Sequence, residues 1–431
     1  MNAVVDPDGY LKSVASKLQI DVCLLIFLSI VVVGSVVYWL LFLFTHGHFA
    51  YCYFVGDYYN TAMDYFNMLA IAHDDPYVNY PIYPALCFAI LGCFYQLLPA
   101  PIRNSSPDGF YLRDYMHAQL GYIFFTVICV LVLYELIRRH IHGSENLKTM
   151  AALIILISGP MLFTFERGNI ILLMFVALFI FIVFYNHENK KLRYLSYFSL
   201  SIAVGIKIYP IVFVVLLLNK KRLGEFAFAT IIIVTTFLIP FFLFGGFSSI
   251  YSMLSALNMT SVTGSINYDL NGNYSLKNIV KLFFALFNTD VVDEVNSSPL
   301  LMIVAALVTL IMYMKSTQNW QRIYSLCLFC IWVPGFSYTY TLIIMIIPAL
   351  MYHYERKYRS RPYIISILFA LIFVPYYLPF SNAINYVFGT KIMIYEITCG
   401  TIIINFALLA ISISIIWELI GNTFQLKVQN Q

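Results

Sequence analysis

An acid and two cations lie where apolar segments of the chain meet. Glu166 and Arg167 follow one apolar run and precede another, with Gly168 between them and the second run. Lys207 lies between two further runs, and Tyr209 follows closely. Cations of this kind suit a phosphate group, held by charge-assisted hydrogen bonds. The alternative is a network of Glu166, Arg167 and Lys207 that only holds helices together.

The apolar runs around these charges are short for membrane spans. They are Met150–Phe165, Asn169–Tyr185, Tyr194–Ile206 and Ile208–Leu218. All are shorter than the ~20 residues that a full crossing of the hydrocarbon core needs. Helices that turn back early leave non-helical backbone at membrane depth, which is tolerated only where it lines a protein-walled or watery cavity. A charge at that depth is costly in lipid and is a functional candidate.

The composition places the whole chain in a membrane. Of its 431 residues, 61% are hydrophobic and 11% are charged, and the mean hydropathy is +0.81. Soluble domains carry about 25% charged residues, so the composition predicts an all-α polytopic membrane protein. The net charge of +4 does not indicate nucleic acid, because the location of the charges matters more than their sum. The expected partner is therefore the lipid bilayer.

Apolar runs outline a single membrane domain, residues 1–431, with roughly 11–13 membrane helices, several of them short or broken. The remaining runs are Val22–Phe44, Ile82–Leu98, Leu120–Ile137, Leu223–Phe244, Leu300–Met314, Ile323–Pro334, Tyr340–Met351, Tyr363–Phe380 and Ile397–Ile420. No cleavable signal peptide is visible before the first run. Two long polar loops, residues 45–81 and 245–298, separate some of the runs. In the first loop, Tyr58–Ala72 has the spacing of an amphipathic helix lying in the membrane interface.

The distribution of cations orients the bundle. Most of the 25 lysines and arginines fall in clusters that mark one face: Lys12, Lys17, Arg138, Arg139, Lys148, Lys190, Lys191, Arg193, Lys220, Lys221, Arg222, Lys315, Arg322, Arg356, Lys357, Arg359, Arg361 and Lys427. By the positive-inside rule this face is cytoplasmic, and both long loops and the breaks at Arg167 and Lys207 are outside. If Ile82–Leu98 crossed fully, Arg138 and Arg139 would also be outside. A re-entrant or interfacial segment is therefore favoured there over a short span.

The polar features of the outer face are expected to share one cavity. Its membrane-depth residues would be Glu166, Arg167, Asn169, Lys207 and Tyr209, beneath a loop that carries Asp57, Asp64, Asp74 and Asp75. A lipid phosphate with a sugar attached would place its tail in the bilayer and its head in this cavity. A carboxylate above the phosphate would suit a general base.

Ordered motifs add a family resemblance. They are Gly56-Asp57-Tyr58-Tyr59, Asp75-Pro76-Tyr77, Tyr80-Pro81-Ile82-Tyr83-Pro84, Arg167-Gly168-Asn169, Gly205-Ile206-Lys207-Ile208-Tyr209-Pro210 and Asn271-Gly272-Asn273-Tyr274-Ser275-Leu276. Each is weak alone, but the ordered set over about residues 50–345 resembles glycosyltransferase family 87. This family includes alpha-mannosyltransferases and arabinofuranosyltransferases of the GT-C superfamily, which use polyprenyl-phosphate sugars. Two prolines often stand together in the family where this chain has Pro81 and Pro84.

The resemblance implies an activity and a set of roles. It implies inverting transfer of mannose or a similar sugar from a polyprenyl-phosphate donor to a cell-envelope glycolipid or polysaccharide on the outer face. In such enzymes the acid in the first outer loop is the catalytic base; Asp57 matches that position, and Asp64 is the nearest competitor. Arg167 and Lys207, with Tyr209, would stabilise the departing lipid phosphate. Two fixed cations could do this without a metal, so no metal or other cofactor is predicted.

Supporting roles are expected for a further set of residues: Glu166, Asn169, Tyr58, Tyr59, Asn273, Ser275 and Tyr338. The tyrosines are candidates for stacking on a sugar, although tyrosine is common at membrane interfaces in any case. Asp57 could instead cap the predicted helix Tyr58–Ala72. Asp74 and Asp75 precede a proline and fit a turn, with metal binding as the other interpretation.

A transporter is the alternative class of function. A flippase for lipid-linked sugars or a polysaccharide transporter would be expected to show repeat symmetry and a path open to both faces. The sequence contains no convincing internal repeat. The expected location is the bacterial cytoplasmic membrane, with the endoplasmic reticulum as the alternative.

Overall fold

The protein is helical throughout the part of the chain that the computed structural model describes, which is residues 21–47, 61–78, 82–218, 222–259, 272–287, 299–355, 362–376 and 398–429. The α-helices are α1 (Val22–Phe44), α2 (Met63–Ile71), α3 (Ala85–Gln96), α4 (Ala100–Arg103), α5 (Gly109–Asp114), α6 (Met116–Arg139), α7 (Glu145–Leu156), α8 (Gly159–Arg167), α9 (Ile171–Phe184), α10 (Lys190–Ile206), α11 (Leu223–Leu238), α12 (Phe247–Met259), α13 (Leu276–Phe287), α14 (Leu300–Lys315), α15 (Asn319–Trp332), α16 (Ile346–Tyr354), α17 (Pro362–Phe373) and α18 (Cys399–Gln429). Three 3-10 helices, Tyr209–Leu217, Ile239–Leu243 and Thr339–Met345, interrupt this series.

Four of the described helical stretches are long and apolar enough to cross a membrane. They are α1, α6, Leu223–Leu243 and Cys399–Gly421. The bent pair of α7 and α8 makes a fifth when it is counted as one span, and α3, α9, α14, α17 and Thr339–Tyr354 are shorter apolar helices. The predicted class, an all-α polytopic membrane protein with short and broken helices, is confirmed.

Local capping explains where several of these helices begin. The Asp21 carboxylate accepts a hydrogen bond from the Cys23 N–H at 2.8 Å and starts α1. The Asn189 side chain accepts from the Lys191 N–H at 2.9 Å and starts α10. Each satisfies a backbone donor that the first helical turn leaves without an intrahelical partner.

The segment Met150–Phe165, which the sequence presents as one run, is divided between two helices. α7 ends at Leu156, and α8 leaves at an angle of 54°. Pro160 lies in the first turn of α8, where its missing N–H is tolerated. The break brings the end of α8, and Arg167 with it, into the interior of the bundle.

The first long loop differs from its prediction. Its helix α2 begins at Met63, so the N-cap position belongs to Ala62 and not to Asp57. The apolar face that was expected to lie in the membrane interface is covered by protein in the described part, because most of α2 is buried against α3, α5 and α8. The apolar face is broad enough to be enclosed by protein on several sides.

Two further segments refine the sequence predictions. α3, within the predicted run Ile82–Leu98, has 12 residues and packs against α2 and α10. This length is well below the ~20 residues of a full crossing and fits a re-entrant segment. The second long loop, expected to be polar, contains the helices α12 and α13.

The core positions the polar residues at the helix ends. α9 is buried along most of its length and packs on α6, on α10 and on the 3-10 helix Thr339–Met345. α8 packs on the same 3-10 helix. This packing brings three short connections together. They are the connection before α9, which contains Asn169, the one after α10, which contains Lys207, and the one before Thr339, which contains Tyr338.

Candidate active site

A partly buried ion pair joins α2, in the first long loop, to the end of α8. The Arg167 guanidinium donates from Nη2 to Asp64 Oδ1, and the two side chains are 16% and 20% exposed. Asn169 Nδ2 donates to the other carboxylate oxygen, Oδ2, at 2.8 Å. Both oxygens of Asp64 are thus engaged, and its charge balances that of Arg167. The structure brings Asp64 to two residues, Arg167 and Asn169, that lie 103 and 105 positions later in the sequence.

Lys207 has a different environment from Arg167. Its ammonium nitrogen lies 3.7 Å from the centroid of the Tyr83 ring and 5.8 Å from that of Tyr340. The Asp64 carboxylate acts on it electrostatically, but no carboxylate of the described residues lies within salt-bridge distance. An ammonium held mainly by aromatic faces keeps hydrogen-bonding capacity for an anion.

Tyr83 connects the ion pair to Lys207. Its hydroxyl accepts a hydrogen bond from Asn169 Nδ2 at 3.1 Å, and its ring lies under the Lys207 ammonium group. We call Asp64, Arg167, Asn169, Lys207, Tyr83 and Tyr340 the polar cluster. Sequence reasoning did not select the two tyrosines. Tyr83 lies in the motif Tyr80-Pro81-Ile82-Tyr83-Pro84. The chain has 34 tyrosines, and nothing in the sequence pattern distinguished Tyr83 from the others.

Backbone contacts hold the start of α2 against the end of α8. The Ala62 N–H donates to the Glu166 carbonyl at 2.5 Å. Gly168 ends α8 with φ of +63°, and a Cβ added there would lie 3.0 Å from Ala62 Cα and 3.1 Å from Tyr65 Cβ. Only glycine allows this conformation and this close approach without strain. The contact explains how Asp64 comes to face Arg167.

Glu166 contributes its carbonyl to this contact. Among the described residues its side chain forms no salt bridge with Arg167, whose partner is Asp64. Its Oε2 atom is buried without a hydrogen-bond partner in the described part of the chain. Asp64, and not Glu166, is therefore the carboxylate that pairs with Arg167.

Asn273 and Ser275 support a turn. The hydrogen bonds described for their side chains join main-chain groups of that turn and not residues of the polar cluster. The Asn273 side-chain oxygen accepts from the N–H groups of Ser275 at 3.1 Å and Ser337 at 3.0 Å. Ser275 Oγ donates to the Gly335 carbonyl at 3.2 Å. These bonds hold the turn that carries Tyr338.

Tyr338 lies next to the polar cluster. Its ring centroid is 5.3 Å from that of Phe163 in α8 and 5.7 Å from that of Tyr340. Tyr209 begins a 3-10 helix two residues after Lys207, and its carbonyl accepts a hydrogen bond from the Cys330 thiol. Tyr338 therefore extends, through Tyr340, the aromatic surroundings of Lys207.

The remaining predicted residues fall elsewhere. Asp57, Tyr58 and Tyr59 lie outside the described residues. Asp75 accepts from the Tyr77 N–H at 2.9 Å, as in a turn, and Asp74 lies 3.2 Å from His73. Within the described ranges, no three His, Cys, Asp or Glu side chains are grouped so that they could hold a metal ion.

Comparison with known families decides the class of this protein. The model of glycosyltransferase family 87 matches residues 77–334, more than half of the 431-residue chain. The chain belongs to glycosyltransferase family 87. The range shared with glycosyltransferase family 87 includes Tyr83, Arg167, Asn169 and Lys207, and it begins after Asp64. No curated protein and no solved structure gives a match.

Membership of glycosyltransferase family 87 and the helical bundle together establish a membrane glycosyltransferase. Such an enzyme needs a sugar donor and an acceptor. Two partly buried cations at helix ends can stabilise negative charge on a leaving group, because electrostatic interactions are stronger where protein partly excludes water.

Proposed function

We propose that this glycosyltransferase transfers mannose or a similar sugar from a polyprenyl-phosphate donor to a glycolipid or polysaccharide of the cell envelope, with inversion, on the outer face of the membrane. The observation that carries the proposal is the position of Lys207. Its ammonium group lies beside the Arg167–Asp64 pair, has aromatic neighbours, and forms no salt bridge with the described residues. A lipid phosphate would supply the anion that this ammonium group can bind.

The donor's amphipathic structure fits this location. The bent pair of α7 and α8 ends at Arg167, and α10 ends just before Lys207, next to the apolar helix α9. A polyprenyl tail can remain in lipid while its phosphate reaches Lys207 and Arg167. A nucleotide sugar would gain nothing from such a position, because its polar base would have to leave water.

The reaction follows from this placement. A hydroxyl oxygen of the acceptor attacks the anomeric carbon, and the bond from that carbon to the phosphate oxygen breaks. The electron pair leaves with the lipid phosphate, whose added charge the two cations stabilise. The hydroxyl proton passes to a carboxylate acting as general base.

Asp57 is assigned as this base from the family resemblance, with Asp64 as the competing residue. The contacts of Asp64 favour a different task for it. Its two oxygens accept hydrogen bonds from Arg167 and Asn169, and this fixed arrangement suits a residue that orients Arg167. The family match also favours a transferase over the flippase or transporter alternative.

A transfer assay with purified full-length protein tests this function. The donors are a synthetic short-chain polyprenyl-phosphate mannose and, in parallel, a nucleotide-linked mannose, and the acceptors are envelope lipids and glycans from cells lacking the chain. We expect products that gain one sugar from the lipid-linked donor alone, with inverted anomeric configuration. Transfer from the nucleotide donor alone, or retained configuration, would overturn the proposal.

A further inference from the structure

The main chain of Tyr83 is fixed just before α3 begins. The next residue, Pro84, is the N-cap of α3 and has extended backbone angles, with φ of −61° and ψ of 154°. A residue before proline is itself restricted to extended conformations. The Tyr83 carbonyl also accepts a hydrogen bond at 3.0 Å from the hydroxyl of Tyr77, a buried residue. The ring of Tyr83 therefore extends from a backbone position that has little freedom.

The ring of Tyr83 is the closer of the two rings beside Lys207. The ammonium nitrogen lies 3.7 Å from its centroid, compared with 5.8 Å for Tyr340. The attraction between an ammonium group and the face of a ring acts within about 6 Å. Lys207 follows the end of α10 and is only partly buried. The Tyr83 ring thus covers one side of the ammonium group, and a ligand can approach another side.

Asn169 holds the hydroxyl group of Tyr83. Its amide nitrogen donates to that hydroxyl at 3.1 Å and to Asp64 Oδ2 at 2.8 Å, and its amide oxygen accepts from the Ile171 N–H at 3.0 Å. Asn169 is only 1% exposed. A buried amide with these three bonds cannot turn over without losing them. Asn169 therefore fixes Tyr83 relative to the carboxylate that pairs with Arg167.

We propose that Tyr83 is a positioning residue of this glycosyltransferase, which holds the Lys207 ammonium group at a fixed place relative to Arg167. The contacts run from Arg167 through Asp64, Asn169 and Tyr83 to Lys207. Without the ring, the lysine side chain would have to be immobilised each time an anionic donor bound, which weakens binding by roughly 2–10-fold. Only the identity of that anion, a lipid phosphate, rests on the proposed function.

Two substitutions of Tyr83 separate the ring from the hydroxyl. Tyr83→Leu removes both and should raise the KM for a synthetic short-chain polyprenyl-phosphate mannose by roughly 2–10-fold, because Lys207 loses its position. Tyr83→Phe keeps the ring, so its donor KM should lie between those of the wild type and Tyr83→Leu. The KM for the acceptor should change little in either variant. Equal donor KM values in the two variants would overturn the proposal, because the ring would then have no effect.

Tyr194→Leu is the matched control for the loss of a ring beside a lysine. Lys190 Nζ lies 5.5 Å from the centroid of the Tyr194 ring, at the opposite end of α10 from Lys207. Tyr194 is partly buried, as Tyr83 is. The control variant should keep the wild-type donor KM. A rise equal to that of Tyr83→Leu would attribute the effect to a general loss of packing and contradict the proposal.

A double-mutant cycle tests whether Tyr83 acts through Lys207. If it does, Tyr83→Leu should have no further effect on the donor KM in a protein that already carries Lys207→Ala. The effects of independent residues would multiply instead. Multiplied effects in the double variant would overturn the proposal, because Tyr83 would then contribute without Lys207. Thermal denaturation midpoints in detergent show that folded proteins are being compared.

Amine labelling tests the position of Lys207 without any substrate. The purified full-length protein is treated with a limiting amount of an acetylating reagent, and acetylation of Lys207 is measured by mass spectrometry relative to that of Lys148. The Tyr83 ring covers the ammonium group and favours its charged form, which does not react. We expect faster acetylation of Lys207 in Tyr83→Leu than in Tyr83→Phe. Equal rates would contradict a ring that holds the ammonium group.

The labelling result also separates this inference from the proposed function. If the acetylation of Lys207 depends on the ring but polyprenyl-phosphate mannose is not used, the positioning role stands and the proposed donor fails. If that donor is used but neither its KM nor the acetylation depends on the ring, the proposed function stands and the role of Tyr83 is excluded.

Discussion

The two cations of the polar cluster differ in how their charge is balanced. Arg167 donates to a carboxylate at close range, and that carboxylate is bonded on its other oxygen by Asn169. Lys207 rests on the ring of Tyr83 at 3.7 Å. A planar guanidinium suits the fixed, paired position, and a compact ammonium suits contact with a variable ligand. Donor binding should therefore depend on Lys207 directly and on Arg167 through Asp64.

Lys207→Ala should weaken use of the donor. The lost charge-assisted contact is worth roughly 1.5–3 kcal/mol, or about 10–150-fold in the KM for polyprenyl-phosphate sugar. The KM for the acceptor should change little. Lys207→Arg should restore donor use poorly, because the planar guanidinium group of arginine does not replace the compact ammonium group of lysine. Steady-state kinetics titrated separately in donor and acceptor measure this.

Lys148→Ala is the control for that experiment, because Lys148 pairs with Glu145 at the opposite end of the bundle. It should leave both KM values unchanged. Equal effects of the two lysine variants on donor use would return Lys207 to a structural role.

The two candidate bases should respond differently to neutralisation. Asp57→Asn should reduce turnover by about 10²–10⁴-fold, the usual contribution of a general base. Asp64→Asn should retain more activity and raise the KM for the donor, because it releases Arg167 and does not remove the base. The measurement is kcat and KM for both purified variants. Wild-type turnover in Asp57→Asn with an inactive Asp64→Asn would move the base to Asp64.

Among the elements, the junction of α8 with α2 leaves little room for a larger side chain, because the two main chains lie in close contact there. α8 ends at Gly168 in the left-handed conformation, and the Ala62 N–H bonds to the carbonyl of Glu166. The Tyr122 hydroxyl from α6 also donates to the Phe165 carbonyl. These backbone bonds use acceptors that the end of a helix leaves open. The loop that carries Asp64 is thus held by main-chain geometry as well as by its own ion pair.

Gly168→Ala should disturb this junction. The left-handed conformation costs an L-residue about 1–2 kcal/mol, and the added Cβ would also press on Ala62 and Tyr65. We expect a lower thermal denaturation midpoint in detergent and a raised donor KM. Gly224→Ala, where the Cβ meets nothing, should leave both unchanged. A Gly168→Ala protein with wild-type stability and kinetics would show that the junction can relax.

At the scale of the whole molecule, charge and topology agree on one arrangement. α6 ends in Arg138 and Arg139, which pair with Glu135, and α7 starts beside them with Glu145. The chain then reaches Arg167 through α8, returns through α9, and reaches Lys207 through α10. Short connections make successive helices antiparallel, so both cations lie at the end opposite the arginines. By the positive-inside rule that end is expected to be outside.

Thiol labelling on either side of α6 tests this orientation. In a protein with Cys52 and Cys93 replaced by serine, Ser105→Cys should react with an impermeant reagent in intact cells. Asn146→Cys should react only after permeabilisation. The reverse pattern would place the polar cluster on the cytoplasmic side and contradict a donor presented from the outer leaflet. Reaction of both in intact cells would mean that α6 does not cross.

Some of these features could be predicted from the sequence. The membrane class follows because composition and apolar run length report directly on the medium around a segment. The breaks at Gly168 and Lys207 were also predictable, because a charge or a glycine next to a short apolar run is a local signal. Arg167, Lys207 and Asn169 could therefore be named as candidates before any contact was known.

Only the tertiary structure decided which residues meet. The contact of Arg167 with Asp64 spans more than a hundred residues, and the placement of Tyr83 under Lys207 spans a similar distance. No local pattern encodes such pairs, because they depend on how α2, α3, α8 and α10 pack together. For the same reason α2, which resembled a surface helix by its spacing, proved to be buried on several sides. The spacing of apolar residues shows that a helix has an apolar face, but whether lipid or protein covers that face is decided by its neighbours in the fold.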